Sequence, residues 1–320
     1  MVGPSPDSPA GTAAGRTPPG GIAADWIAAD WGTSNLRVWA MGPDGAVLDR
    51  RASDRGMGQL AQADFEPALL ALVDDWLAPG RVTPVLACGM VGARQGWAEA
   101  AYRALPCAPV GLPMTTAPTA DPRLSVRIVP GLSQARPSAD VMRGEETQIA
   151  GVLAAAGDWD GVVCLPGTHS KWAELSAGEV VSFRSFMTGE LFALLATRSV
   201  LRHGMDAGFD DAAFDAGLSD GLGRPEWLTA RLFTLRAEGL LSGLSPAAAR
   251  ARLSGLLIGT ELAAAKHWWL GRDVVIVGEG HLGGLYARAL AAQGVPARQV
   301  VAEDATLAGL NRARALTLAC

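Results

Sequence analysis

Ala28-Ala29-Asp30-Trp31-Gly32-Thr33-Ser34-Asn35-Leu36-Arg37-Val38-Trp39 reads as two apolar strands interrupted by a small, hydroxyl-rich turn. A further turn at Gly42-Pro43-Asp44-Gly45 leads into a third short strand, Ala46-Val47-Leu48. Asp30 stands where the first strand ends. Gly32, Thr33, Ser34 and Asn35 can direct backbone N–H groups and hydroxyls at an anion. The pattern is not a P-loop, which reads GxxxxGK[ST] and opens a helix.

The same plan recurs in the second half of the chain. Val162-Val163-Cys164-Leu165 runs into Pro166-Gly167-Thr168-His169-Ser170-Lys171, then Trp172-Ala173-Glu174-Leu175, a turn at Ala177-Gly178 and Val180-Val181-Ser182-Phe183. Two such turns facing one another across a cleft would grip a phosphate chain from both sides. A third glycine turn, Gly278-Glu279-Gly280-His281-Leu282-Gly283, follows the apolar strand Val274-Val275-Ile276-Val277 and enters a helix. Gly278, Gly280 and Gly283 fit GxGxxG, but so late in the chain that little more than one βαβ unit could follow. Two hydroxyl-rich hairpins and a glycine turn suit ATP better than NAD.

The whole chain sets the outer bounds. Its 320 residues, 49% apolar, suffice for two domains of ordinary size. The formal charge is −5, from 27 basic and 32 acidic groups, and no basic run suggests a nucleic-acid face. Four cysteines, at 88, 107, 164 and 320, form no CxxC pair, which argues against structural zinc and fits a reducing, cytoplasmic setting. No stretch is long and apolar enough for a membrane span, and the leader lacks a signal-peptide core. Residues 1–22 read as a disordered extension. Residues 23–157 and 158–320 read as two domains, with the 304–320 helix able to pack back on the first.

Between the motifs the expectations are ordinary. Phe65 to Leu77 has surface-helix spacing, and residues 104–123, rich in Pro and Thr, read as an irregular excursion or a sheet edge. Asp140 is expected to cap a helix running to about Ala155. Residues 203–225, dense in Gly, Asp and Ala, read as a solvated, mobile connector. The loop after Val85-Leu86-Ala87-Cys88 lies at the carboxyl end of a strand, where α/β proteins place ligands. In that loop Arg94 can fork onto a carboxylate, Gln95 and Glu99 can bond hydroxyls, and Trp97 can wall a pocket, although the same residues also suit an exposed turn.

With these pieces assembled, the chain resembles the 2-dehydro-3-deoxygalactonokinases, sugar-acid kinases of the acetate kinase, sugar kinase, heat-shock ATPase and actin superfamily. The resemblance is carried by DWGTSNLRVW at 30–39, CGMVGARQGW at 88–97, DVMRGEETQIAG at 140–151, PGTHSKW at 166–172, FMTGELFALL at 186–195, LIGTEL at 257–262 and GEGHLGGLY at 278–286. It implies an α/β fold of two ribonuclease-H-like, actin-like ATPase domains with mixed sheets flanked by helices and a cleft between them. It implies transfer of the γ-phosphoryl group of ATP to the 6-hydroxyl of 2-dehydro-3-deoxy-D-galactonate. By that resemblance Asp30 holds Mg2+, Gly32 to Asn35 and Gly167 to Ser170 line the phosphates, and Gly278, Gly280 and Gly283 lie under the adenosine.

Read from the residues, such a reaction needs positioning and charge neutralisation. Asp30 and Glu146 can offer carboxylate oxygens to magnesium, and Lys171 can stabilise phosphate charge or simply cover the hairpin. The general base is left among Asp140, Glu145 and Glu146. The GEET helix start resembles that of exopolyphosphatases and favours the glutamates, which point about 100° apart on a helix. Arg94, Gln95, Trp97 and Glu99 are the expected sugar-acid contacts. The implied partners are ATP and a small sugar acid, with neither nucleic acid nor membrane, and with self-association left open. Kinases of other sugars or sugar acids, anhydride phosphatases and a non-enzymatic regulator are the competing readings.

Overall fold

The computed structural model describes residues 22–157 and 159–319; the expected N-terminal extension therefore lies outside the described residues, apart from Ile22. The first strands are β1 (Trp26–Trp31), β2 (Leu36–Met41) and β3 (Val47–Ser53), antiparallel neighbours in register Asp30↔Arg37 and Trp39↔Arg50. Helix α1 (Phe65–Val73) follows, then β4 (Thr83–Gly89), β5 (Tyr102–Ala104), β6 (Thr115–Thr116), β7 (Leu124–Ile128), β8 (Gly131–Gln134) and β9 (Asp140–Met142). Helix α2 (Glu145–Ala156) leads to the second hairpin, β10 (Gly161–Leu165), β11 (Ser170–Ser176) and β12 (Glu179–Phe186). The remainder is α3 (Thr188–Thr197), α4 (Asp211–Gly223), α5 (Leu228–Leu241), α6 (Pro246–Ala264), α7 (Lys266–Trp269), β13 (Val274–Val277), α8 (Gly280–Ala291), β14 (Arg298–Val300) and α9 (Ala302–Leu318).

Two mixed sheets share one plan. The first has the order β3-β2-β1-β4-β7-β6 and the second β12-β11-β10-β13-β14. In each, three antiparallel strands are extended by parallel ones: β1 pairs β4, and β10 pairs β13. A separate three-stranded sheet, β5-β8-β9, takes β5 from within the sequence span of the first sheet and β8 and β9 from the stretch between the two. Residues 104–123 do supply the edge, where β6 pairs antiparallel with β7.

Strand alternation sends side chains to two cores. From β1, Ile27, Ala29 and Trp31 enter the cluster with Phe65 and Trp97, while Trp26 and Ala28 enter the opposite one with Trp39, Leu310 and Ala313. The second sheet does likewise, with Trp172, Phe214, Ile258 and Tyr286 on one face and Ile149, Val163, Phe183 and Ala305 on the other. Helices α2 and α9 therefore contribute to cores on both sheets. They cross closely through Gly151 and Gly309, where an added Cβ would stand 1.9 Å from the Ala305 carbonyl oxygen and 1.8 Å from that of Thr147.

Two expectations fail here. Asp140 does not cap a helix: it lies on β9, its Oδ2 accepting the Ser185 N–H at 2.7 Å, and α2 starts at Glu145 after Gly144 at φ +105°. The conformation of Gly144 turns the chain sharply from strand into helix and moves the cap four residues along, from 140 to 144. The 203–225 stretch holds a helix, α4, rather than a mobile connector. Its glycines are the packing surface: an added Cβ at Gly217 or Gly221 would lie 2.4 or 2.3 Å from carbonyl oxygens of α6, and one at Gly255 or Gly259 2.2 or 2.4 Å from those of α4. Small residues that look like a loop in sequence let the two backbones touch. Gly255→Ala is expected to destabilise the fold by about 1–3 kcal/mol, because its methyl meets main chain that cannot step aside. A urea titration would measure it, and an unchanged midpoint would refute the contact.

Candidate active site

Both hairpin turns open onto one cavity of about 490 Å3. The first sheet contributes Asp30, Gly32, Thr33, Gly89 and Met90; the second contributes Gly167, Thr168, His169, Lys171 and Gly278. Tyr102, Arg143, Glu145, Gln148 and Thr306 complete the polar lining. The β1–β2 turn is buttressed from behind. Met57 and Gly58 donate backbone N–H bonds to the Gly32 and Thr33 carbonyls at 3.0 and 2.9 Å. Gly56 sits so close that a Cβ there would meet the Thr33 carbonyl oxygen at 2.4 Å. Gly56 and Gly58 thus support the turn from behind.

The second turn rests on the start of α3. Glu190 N–H donates to the Thr168 carbonyl at 2.9 Å, and Gly189 lets α3 press against Gly167. His169 Nε2 and Glu190 Oε2 stand 2.6 Å apart, both partly exposed. A Cβ added at Gly167 or Gly278 meets no protein atom within 4 Å, so the surface at both glycines is free for a ligand to lie along the main chain. Phosphates placed against such glycines suit the site.

Asp30 is held by Arg37, its partner across the strands, with Oδ2 to Nη2 at 2.5 Å. Among the described residues its Oδ1 has only the Cys88 thiol, at 3.9 Å. Among the described residues no group of three or more metal-type side chains occurs. One carboxylate oxygen left without a strong partner fits a magnesium ion completed by phosphates and water, not a cage built wholly by protein.

The three base candidates separate clearly. Glu145 lines the cavity, its Oε1 2.7 Å from Lys171 Nζ and its Oε2 accepting the Arg143 N–H at 3.1 Å. Glu146 is sealed in at 0% exposure, Oε2 accepting the Gly144 N–H at 2.6 Å and Oε1 3.0 Å from the Thr147 hydroxyl. Asp140 has both oxygens engaged by backbone N–H groups, of Val141 and Ser185. Burial, helped by the charge of Glu145, pushes the Glu146 carboxyl up to about 8. A carboxyl raised from about 4.5 favours the folded state below 4.5 and loses that contribution as pH climbs through 8. Glu146→Gln copies the neutral acid, so its melting temperature should exceed that of the native protein at pH 9 and match it near pH 5. Parallel melting curves at both pH values would expose a flat difference, which would sink the assignment.

Lys171, only 6% exposed, also donates to the His169 carbonyl at 3.1 Å, so it ties Glu145 to the second turn. Ser170 does not face the phosphates as expected. It is buried, and its hydroxyl donates to Glu261 Oε2 at 2.6 Å. Glu261 also accepts from Trp172, Tyr286 and Thr188. Burial pushes this carboxyl up and the four donors pull it back. The sequence offered LIGTEL as a motif but no sign that its glutamate pins β11, α3, α6 and α8 together.

Adjoining the polar cavity is a more apolar one of about 600 Å3, and Gly167 and Thr168 line both. Its walls are Phe192, Phe209, Leu257, Ile258, Leu285 and Tyr286. Of the three glycines in the late turn, only Gly278 lines the polar cavity, and neither cavity is lined by Gly280 or Gly283. Gly283 instead lets α8 cross the turn, where a Cβ would lie 2.4 Å from the Gly278 carbonyl oxygen. Side chains of α3, α6, α8 and the segment before α4, not the glycines of the late turn, form the apolar wall. Ser34 and Asn35 line a third opening of about 730 Å3, shared with Asp30 and Thr168.

The 88–99 loop divides. Trp97 is no pocket wall: at 3% exposure it packs against both Trp31 and Phe65 and donates its indole N–H to the Pro118 carbonyl. Its apolar area is worth more in that core than at a cavity edge. Arg94, Gln95 and Glu99 are exposed and do not line the 490 Å3 cavity.

Comparisons with known proteins identify the family. The family model described as 2-keto-3-deoxy-galactonokinase matches residues 30–313. The chain is 44% identical over 294 residues to the "Probable 2-dehydro-3-deoxygalactonokinase DgoK1" of Rhizobium meliloti (strain 1021), covering 90% of this chain and 96% of that protein. It is 34% identical over 295 residues to the 2-dehydro-3-deoxygalactonokinase of Escherichia coli (strain K12), covering 91% and 97%. A crystal structure from Sinorhizobium meliloti, of a protein given the same enzyme name on a provisional basis, superposes with a TM-score of 0.85 at 44% identity, covering 91% of this chain and 99% of that one. No helix among the described residues is long and apolar enough to cross a membrane. With a family model spanning both hairpins and two relatives aligned almost end to end, the chain belongs to the 2-keto-3-deoxy-galactonokinase family.

Proposed function

We propose that the protein transfers the γ-phosphoryl group of ATP to the 6-hydroxyl of 2-dehydro-3-deoxy-D-galactonate, releasing ADP and the 6-phosphate. The observation that carries the proposal is the convergence of Gly32 and Thr33 with Gly167, Thr168 and His169 on one cavity. An adenosine in the apolar cavity would send its phosphates past Gly167 and Thr168, the residues common to both spaces. The two sheets then act as lobes that close over the nucleotide. Asp30 would hold a magnesium ion, which would supply charge neutralisation for the outer phosphates.

The protein's own residues do the rest. Backbone N–H groups of the two turns orient the phosphates, and Lys171 offers positive charge beside them. Glu145, on the cavity wall, accepts the hydroxyl proton as the oxygen attacks phosphorus. The protein should be assayed against a panel of 2-keto-3-deoxy sugar acids with ATP and magnesium, following ADP, alongside ATP alone. ADP formation coupled to the galactonate derivative supports the proposal. Phosphate release without any sugar acid would indicate an anhydride hydrolase, and preference for another acid would reassign the substrate.

A further inference from the structure

Arg143 poses a problem that the fold alone does not solve. It is 9% exposed and lines the polar cavity. Its Nη2 donates to the Ala100 carbonyl at 2.6 Å, but Nε and Nη1 are sealed from solvent and have no partner. Among the described residues no carboxylate lies within ion-pair distance of its guanidinium; every other ion pair in the site involves Asp30, Glu145 or Glu190. A buried cation with idle donors is costly unless an anion repays it. The space for it is built in. A Cβ at Gly92 would stand 2.8 Å from Nη1 and 2.8 Å from Ile128 Cγ2, so that glycine leaves room for the guanidinium against the core. Tyr102, 43% exposed, lies over the group with its ring centroid 4.4 Å from Cζ.

We infer that Arg143, and not Arg94, receives the carboxylate of the sugar acid, with Tyr102 as the movable cover over the guanidinium. The inference rests on the kinase reading above and names its specificity determinant. A guanidinium fork matches a carboxylate in a way a neutral sugar cannot exploit. Arg143 is two residues from Glu145, and its own N–H fixes Glu145 Oε2. One short segment thus sets both ends of the acceptor: the acid group at one, the reacting hydroxyl at the other. Arg94 is exposed and stands off the cavity lining, so it is the natural comparison.

The test uses full-length native protein, Arg143→Gln, Gly92→Ala and Arg94→Ala. Each is given 2-dehydro-3-deoxy-D-galactonate or its neutral methyl ester, with ATP and magnesium. Arg143→Gln should raise KM for the acid roughly 100-fold, leave KM for ATP within a few-fold, and erase the preference for acid over ester. Gly92→Ala should shift the same preference in the same direction by crowding Nη1, with Arg143 still present. Arg94→Ala should change little. A second readout is the melting shift produced by the acid alone, which should vanish in Arg143→Gln while the shift from ATP persists.

An unchanged acid KM in Arg143→Gln, or equal losses for acid and ester, overturns the inference while leaving the kinase reading intact. If Arg143→Gln does not fold, Gly92→Ala decides: an unaltered preference there overturns it as well. If native protein neither consumes nor is stabilised by the acid, both readings fall together.

Discussion

Asp30→Ala is expected to lower turnover by about 1000-fold or more while the protein stays folded. The geometry separates the two consequences. Asp30 ends β1 at the mouth of two openings, where it can meet the outer phosphates and their metal. Removing it strips the site of its one carboxylate on that wall, and no third acidic or histidine side chain is grouped there among the described residues to take over. The loss to stability is small by comparison. Arg37, left without its partner, has a side chain 39% exposed and can take up water, so the broken pair costs no more than about 1 kcal/mol. Asp30→Asn keeps the shape and the hydrogen bond to Arg37 but not the charge. It should be nearly as inactive as the alanine variant if the role is electrostatic. ADP release at saturating ATP and magnesium, beside a melting curve, reads both effects; turnover within tenfold of native in either variant would remove Asp30 from the metal site.

What the sequence revealed follows from local chemistry. The hairpins were legible because strand, Gly-Thr turn and strand are written in consecutive residues, and Asp30 and Lys171 fall at fixed places on them. Their meeting at one cavity is a long-range fact, carried by α2 and α9 between the sheets, and only the repeat of the plan hinted at it. Three failures share a cause. Trp97, Ser170 and the glycines of α4 were assigned from residue type, yet each is decided by what lies across a packing surface: Phe65, Glu261 and the α6 backbone. A tryptophan in a loop and a tryptophan in a core look the same in one dimension. Arg143 was hidden differently, since its neighbours Gly92, Ala100 and Tyr102 come from 40 or more residues upstream.

Glu145→Gln is expected to lower kcat by about 100- to 10,000-fold with KM for ATP little changed, as the loss of a general base would. The difficulty is that Glu145 is also structural, being paired at 2.7 Å with a lysine whose side chain is 8% exposed. Removing one member of such a pair leaves an uncompensated charge and can cost about 3–5 kcal/mol, so a dead single variant could be merely unstable. The companion variants resolve this. Lys171→Met in the Glu145→Gln background removes the stranded charge, and the double variant should melt closer to native than either single one. Lys171→Met alone is the reference for turnover, since Lys171 also offers charge to the phosphates: if Glu145 serves only to hold Lys171, the double variant should turn over as fast as that single variant. If its carboxylate takes the hydroxyl proton, stability returns but turnover stays well below that of Lys171→Met alone, because no other group on that wall is placed to replace it: Glu146 is sealed behind Gly144 and Thr147, and Asp140 is committed to backbone N–H groups. A double variant as active as Lys171→Met would therefore move the base elsewhere, while one far less active at equal or greater stability would fix it at Glu145.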